Sequence, residues 1–305
     1  MTFLDLLKKF PTEKDIVDHY ISIRYGEHAI CNHCGFIKVY QRNSNIKVFD
    51  CNDCGNTFSP FTGTIFEKSS TDLRKWFYAI HLFLNGKKSI SGLQLQREIG
   101  VTYKTAWRML QQIRKAMGNA ESQEFFDTIV EIDETYVGGK PRKSNDHDDN
   151  DKGTGTGAKC GRDIDKTPVV GMIDRNNRKV FAKIAMPNGA GQKLTAKQLM
   201  DILKTVSKQE NNNTIMSDEF RGYDPLSKND FVHLRVDHQH AFSDRNGTHT
   251  NNIESFWATL KRGVYGIYHH ISIEYMQRYV DEFCFRYNNR ENDMFSMVLK
   301  QSVIE

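Results

Sequence analysis

Hydrophobic and polar positions divide the chain into segments of different period. Phe10-Pro11-Thr12, followed by Glu13, Asp15, Ile16, Tyr20 and Ile21, reads as a capped amphipathic helix. Residues 31 to 61 alternate apolar and polar side chains through Phe36, Ile37, Val39, Tyr40, Ile46, Val48 and Phe49, the two-residue period of short strands. From 71 to 118 the period becomes helical. Leu73, Trp76, Phe77, Ile80 and Leu84 form one run, Leu93, Leu95 and Ile99 a second, and Trp107, Leu110, Ile113 and Met117 a third, which predicts three helices.

Beyond a polar hinge near 118–123, Thr128 to Val137 is strand-like. Residues 138–167 hold almost no large apolar side chain. They cannot bury enough surface to offset the entropy of ordering, and a mobile insertion is expected there. Strand signals resume at Pro168–Ile173 and Lys179–Ala185, around a hairpin turn at Asp174-Arg175-Asn176-Asn177-Arg178. A helix is predicted over Thr195–Ser207, strands at Thr214–Asp218 and His233–Val236, and helices from about Asn251, with Tyr275–Asn289 as a packing helix. Strands followed by mixed strands and helices predict an α/β domain with a partly antiparallel sheet.

Composition changes this picture little until it is resolved by position. The 305 residues carry 42 lysines and arginines against 38 aspartates and glutamates. Residues 71 to 118 alone hold nine basic and two acidic residues, a local +7, so the excess is concentrated on the predicted three-helix segment. The longest uncharged apolar stretch, Trp76 to Asn85, is far short of the roughly 20 residues that cross a bilayer. No membrane span or secretory signal is expected, and a cytoplasmic protein is.

Four of the six cysteines fall in two pairs, Cys31-Asn32-His33-Cys34 and Cys51-Asn52-Asp53-Cys54, with sixteen residues between them. Each turn aims two thiolates at one point, and two turns complete the four-ligand shell that zinc prefers. A closed shell leaves no position for substrate, so this zinc is structural. Cys160 and Cys284 stand alone. The segment Ser89 to Thr105 reads as helix, glycine-containing turn and helix, a helix-turn-helix. Thr102 is placed to cap the last helix, whose exposed side is expected to present Tyr103, Lys104, Arg108 and Lys115 to DNA.

In Ile129-Val130-Glu131-Ile132-Asp133-Glu134, strand alternation sets Val130 and Ile132 on one face and Glu131 and Asp133 on the other. An acid inside an apolar strand is costly unless it is paired or holds a metal. Asp218 ends a second apolar run. Glu254 follows with 35 residues between it and Asp218, and Lys261 returns to the same helix face two turns after Glu254. Glu131 is an alternative or supporting ligand beside Asp133, while Glu134 and Glu219 are expected to point the other way.

Three stretches, Glu131 to Gly139, Ser217-Asp218-Glu219, and Asn252 to Gly263 with Tyr268-His269-His270 behind them, resemble the DDE insertion-sequence transposases of the ISXO type, related to the Merlin elements. The resemblance covers nearly the whole chain. It implies an N-terminal helix and zinc ribbon over 1–65, a helix-turn-helix over 66–123, and a ribonuclease-H-like catalytic domain over 124–305 interrupted by the insertion at 138–167. It further implies that Asp133, Asp218 and Glu254 hold two Mg²⁺ or Mn²⁺ ions, that Lys261 contacts DNA near the cleaved bond, and that at least a dimer assembles on terminal inverted repeats and target DNA. Some members use asparagine or histidine as the third ligand, and Asn251, Asn252 and His249 lie just upstream of Glu254. The alternative reading is a zinc-ribbon DNA-binding regulator with an inactive transposase domain.

Overall fold

The computed structural model describes residues 1–118, 129–138, 166–185, 194–206, 214–218, 223, 232–235 and 249–303. The chain divides into two compact units, one of Met1–Glu121 with Asn289–Glu305 and one of Ser122–Asn288. In the first, α1 (Phe3–Lys9) and α2 (Glu13–Tyr25) open on Thr2 and Thr12. Each threonine hydroxyl accepts from the backbone N–H of Asp5 or Asp15, and that aspartate accepts from the threonine N–H in return. These reciprocal bonds satisfy donors that a helix start leaves unpaired. Helix α2 is expected from the sequence and α1 is not, although Phe3, Leu6, Leu7 and Phe10 recur at helical spacing.

Strands β1 (Val39–Arg42), β2 (Asn45–Cys51) and β3 (Thr57–Phe58) form an antiparallel sheet in that order. The helical runs become α3 (Leu73–Asn85), α4 (Gly92–Ile99) and α5 (Tyr103–Gly118). Their apolar faces are buried at Trp76, Phe77, Ile80, Leu95, Ile99, Leu110 and Ile113. Phe66 meets Trp76 and Tyr20 edge to face, with ring centroids 5.2 and 5.3 Å apart. This aromatic cluster joins the expected 1–65 and 66–123 pieces around one core.

In the second unit β4 (Ile129–Val137), β5 (Thr167–Asp174) and β6 (Val180–Ile184) are antiparallel, and α6 (Ala196–Val206) follows. Strands β7 (Thr214–Ser217) and β8 (Val232–Arg235) run parallel to β4, which gives the sheet order β6-β5-β4-β7-β8. The chain continues as α7 (Asn251–Gly263), a π turn at Val264–Tyr268 and α8 (Ile273–Asn288). One sheet face, with Val137, Val169 and Ile173, packs on Ile253, Phe256, Leu260, Val280 and Phe283 of α7 and α8. The other, with Val130, Ile132, Val170 and Met172, packs on Leu199, Ile202 and Leu203 of α6. β5 is buried at every position because both of its faces are covered. The result is a helix–sheet–helix sandwich with a mixed sheet, an α/β unit as the segment pattern predicts.

The last helix, α9 (Met294–Lys300), belongs to the first unit, so the span expected as one domain over 124–305 ends at Asn288 instead. The reason is apolar. Phe295 of α9 packs edge to face on Phe77, centroids 5.6 Å apart. The Ile65 N–H then donates to the Ser302 carbonyl, and the Tyr20 and Ser302 hydroxyls share a buried hydrogen bond of 2.7 Å. The insertion expected at 138–167, Cys160 included, lies outside the described residues except at its edges, as does Glu219. Among the described residues no helix is long and apolar enough to cross a membrane.

Gly263 marks the closest approach of α7 to α8, since a Cβ there would overlap the Phe283 ring. Gly263→Ala is expected to destabilise the second unit by roughly 1–3 kcal/mol, the usual cost of overpacking a filled interior. Denaturant unfolding checks this, and an unchanged midpoint would show that the helices can separate freely.

Candidate active site and metal centres

The acids of β4 are sorted by the pleat. Glu131 and Asp133 face α7, and Glu134 faces the α6 side, where the buried Tyr223 hydroxyl donates to its carboxylate at 2.8 Å. Parallel pairing of β4 with β7 matches Glu131 to Met216. Two residues on, the same register sets Asp133 beside Asp218, just past the end of β7. Carboxylate oxygens of Asp133, Glu134 and Asp218 lie within 4.8 Å of one another. Glu134 thus stands on the opposite face, as expected, but does not point away from the site.

Burial, then the neighbouring charges of Glu134 and Asp218, raise the Asp133 carboxyl to about 7, with Glu254 adding to the same repulsion. Asp133 nevertheless has two donors, the Glu134 N–H at 2.8 Å and the Trp257 indole N–H at 3.0 Å. Burial first, and then the charge of Glu134, raises the Tyr223 hydroxyl well above its ordinary range, so it stays protonated and donates. Carboxylates crowded in this way around Asp133 are a donor set for a hard divalent cation, whose charge removes the repulsion.

Glu254 is exposed in the first turn of α7, where the Thr250 hydroxyl donates to its Oε1 at 2.7 Å. Lys261 is exposed two turns later on the same helix. Glu131 has a different setting from its strand neighbours and is fully buried. It accepts from the backbone N–H groups of Asn252 and Ile253 at 3.0 and 3.1 Å, from the Asn252 amide at 2.7 Å and from Arg175 Nε at 2.7 Å. His249 Nδ1 lies 3.3 Å from the same carboxylate. Two of the three alternative third ligands, Asn252 and His249, are therefore gathered around Glu131, while Asn251 is exposed at the start of α7.

Gly171 sits opposite Asp133 in the β4–β5 ladder. A Cβ at Gly171 would come within 2.5 Å of the Trp257 ring. The missing side chain lets the indole lie on the sheet, within reach of Asp133. The sequence shows Trp257 as a buried face residue. Its bond to Asp133 has no sequence signal, because the two positions are joined only by the packing of α7 on the sheet.

The four paired cysteines also converge. Cys31 and Cys54 Sγ are 3.7 Å apart, Cys34 and Cys51 Sγ 3.6 Å, and all four lie within 4.8 Å. Sulfurs about 2.3 Å from a central zinc in a tetrahedron are separated by about 3.8 Å, so the cluster has the dimensions of a four-thiolate site. Each knuckle turns on a glycine with positive φ, Gly35 at 75° and Gly55 at 68°, a conformation that glycine adopts without steric cost. The Asn56 backbone N–H, and then its side-chain amide, hold the Cys54 thiol down at about 6, toward the thiolate a metal needs.

Residues 126–288 match the ISXO2-like transposase domain, and a protein of Halobacterium salinarum described as an uncharacterized protein in transposable element ISH50 is 30% identical over 85% of this chain and 87% of its own. The chain belongs to the ISXO2-like transposase family. An uncharacterized transposase-like protein of Haemophilus influenzae is 34% identical over 29% of this chain and 71% of its own length. Among solved structures, the Mos1 mariner paired end complex with Mn is similar at 15% identity over 74% of this chain and 78% of that one. Its TM-score of 0.32 is too low for any residue's role to be carried across.

In this chain α4 is capped by Ser91, whose hydroxyl accepts from the Gln94 N–H, and ends on Gly100 in the left-handed conformation. Thr102 caps α5 by accepting from the Thr105 N–H. Of the residues expected to face DNA, Tyr103 and Lys104 stand exposed in the first turn of α5. Arg108 and Lys115 are half-buried, and one Arg108 nitrogen donates to the Glu67 carbonyl at 2.7 Å. Arg114, counted in the local +7, is buried with its guanidinium 5.1 Å from the centre of the Phe83 ring. The positive segment therefore presents fewer charges at its surface than its sequence contains.

Because the folded state raises the Asp133 pKa above its ordinary 3.8, stability is greatest while the carboxyl is protonated and declines as pH rises from about 4 through 7. In chelator-treated protein, Asp133→Asn should therefore gain in melting temperature relative to the parent as pH is raised from 5 to 8, and Mg²⁺ should narrow that gap. A pH-independent difference between the two would refute this.

Proposed function

We propose that this chain is a DNA transposase that recognises terminal inverted repeats, hydrolyses phosphodiester bonds at element ends and joins the freed 3′ hydroxyls to target DNA. The observation that carries the reading is the meeting of Asp133 and Asp218 at neighbouring strands, with the charge of Glu254 on α7 acting on the same carboxyl. The sheet order, with three antiparallel strands followed by two parallel ones and helices on both faces, supports a ribonuclease-H-like catalytic unit.

Asp133, Asp218 and Glu254 are the proposed ligands of two Mg²⁺ or Mn²⁺ ions. Such ions, when bound, neutralise the phosphate oxygens and activate the attacking hydroxyl or water. Trp257 orients Asp133 through its indole N–H. Tyr223 occupies one oxygen of Glu134, which keeps that carboxylate in the set without leaving it uncompensated. Lys261, exposed two turns along α7 from Glu254, is the residue proposed to meet DNA beside the reacting bond. The cysteine cluster is read as a structural zinc site, since four thiolates close its shell. Tyr103 and Lys104 lead the DNA-facing end of α5, where the N-terminus of a recognition helix meets base edges and phosphates, and Arg108 and Lys115 flank them. Two element ends must be joined at one place, which calls for at least a dimer on DNA.

With terminal-repeat DNA and Mg²⁺, purified protein should nick and join strands, and Asp133→Ala, Asp218→Ala and Glu254→Ala should each reduce both products to background while repeat binding persists. Sequence-specific binding with no metal-dependent cleavage in the parent protein would instead mark a regulator. Lys104→Ala should weaken binding to all sequences similarly and lower the slope of log affinity against log salt by about 1, the signature of one lost phosphate contact. An unchanged slope would remove Lys104 from the interface.

A further inference from the structure

The start of α7 lacks the usual local cap. Its N-cap residue, Thr250, makes no side-chain capping bond, and its hydroxyl turns to Glu254 instead. The N–H groups of Asn252 and Ile253, which a cap would satisfy, donate to Glu131 on β4. The same carboxylate holds the Asn252 amide and Arg175, and Arg175 Nη2 also donates to the His249 carbonyl at 2.6 Å, just ahead of the helix. One buried charge therefore ties β4, the end of β5 and the entry to α7 together. Three residues past Glu254, Trp257 makes a second tie to the same strand through Asp133. Glu254 lies between the two ties, with its carboxylate held by Thr250.

We propose that Glu131 is a positioning residue that sets where Glu254 stands relative to Asp133 and Asp218, and that it is not a metal ligand. The proposal rests on the three-carboxylate reading above. Four donors already occupy the Glu131 oxygens, so coordination would require breaking the helix cap and the arginine pair together. Glu131 and Asp133 share a strand face two residues apart, and so a displacement of α7 at Glu131 reaches the site with little attenuation. Arg175 supplies the opposite charge, 2.7 Å away, that offsets the burial of the Glu131 carboxylate.

The test is Mn²⁺ binding to the full-length, zinc-loaded protein, followed by the electron paramagnetic resonance of free Mn²⁺, in the parent, Glu131→Gln, Glu254→Ala and the double variant. Glutamine keeps the shape and can still accept from the helix, but loses the charge that holds Arg175. Partners that orient metal ligands typically contribute 10- to 100-fold in affinity. Glu131→Gln should therefore weaken Mn²⁺ binding by about that much while circular dichroism stays that of a folded protein. Added to Glu254→Ala it should weaken binding no further, because it acts through Glu254.

Losses that multiply in the double variant would make Glu131 an independent ligand, and unchanged affinity in Glu131→Gln would remove it from the site; either overturns the proposal. If Glu131→Gln does not fold, Asn252→Ala, which removes one donor and leaves the charge pair, should give a smaller loss with the same lack of additivity, and additive losses there count equally against it. Should Glu254→Ala itself bind Mn²⁺ like the parent, the three-carboxylate reading fails, a result distinct from a failure of Glu131 alone.

Discussion

A strand in the centre of a sheet carries three carboxylates, Glu131, Asp133 and Glu134, and the second unit is organised around keeping them there. Charge in an interior is tolerated only when it is paired, hydrogen-bonded or neutralised. Glu131 is saturated by Arg175 and the start of α7, and Glu134 has the Tyr223 hydroxyl. Asp133 has two donors but also the acidic neighbours Glu134, Asp218 and Glu254, and its carboxyl is pushed to about 7, first by burial and then by those charges. The repulsion that remains is confined to the place where a cation would relieve it.

This constraint governs the parts that surround it. Removing one partner of a buried ion pair typically costs about 3–5 kcal/mol, so Arg175 and Glu131 depend on one another, and α7 is held where they meet. Gly171 has no side chain, the Trp257 ring fills the space, and the indole reaches Asp133. Gly263 brings α8 up against the other end of the helix. α7 thus has fixed contacts at its start, middle and end, and Glu254 and Lys261 are exposed between them.

The first unit handles polar groups by local means. Its cysteine cluster is formed by two short knuckles, each with its own glycine turn and backbone hydrogen bonds, and so depends little on distant parts of the chain. Its helices start on Thr2, Thr12, Asp72, Ser91, Thr102 and Asp293 within their own sequence. In the second unit the equivalent task at α7 falls to a residue more than a hundred positions away. That contrast explains which features could be read in advance.

Local chemistry was legible in the sequence. Paired cysteines, the helical period over 71–118, the cap at Thr102 and the face-sorting of Glu131 and Asp133 all follow from spacings of a few residues, where backbone geometry alone dictates direction. The acids Asp133 and Asp218 stood out because each interrupts or ends an apolar strand. Tertiary structure alone decided the rest. The approach of Glu134 to Asp133 and Asp218 is a tertiary arrangement, and the contacts of Glu131 depend on the packing of α7. The inward turn of Arg114 and Arg108 depends on Phe83 and the Glu67 carbonyl. The return of α9 to the first unit depends on Phe77. Each is a contact between residues far apart in the chain, and periodicity records which face a side chain takes but not what will be waiting there.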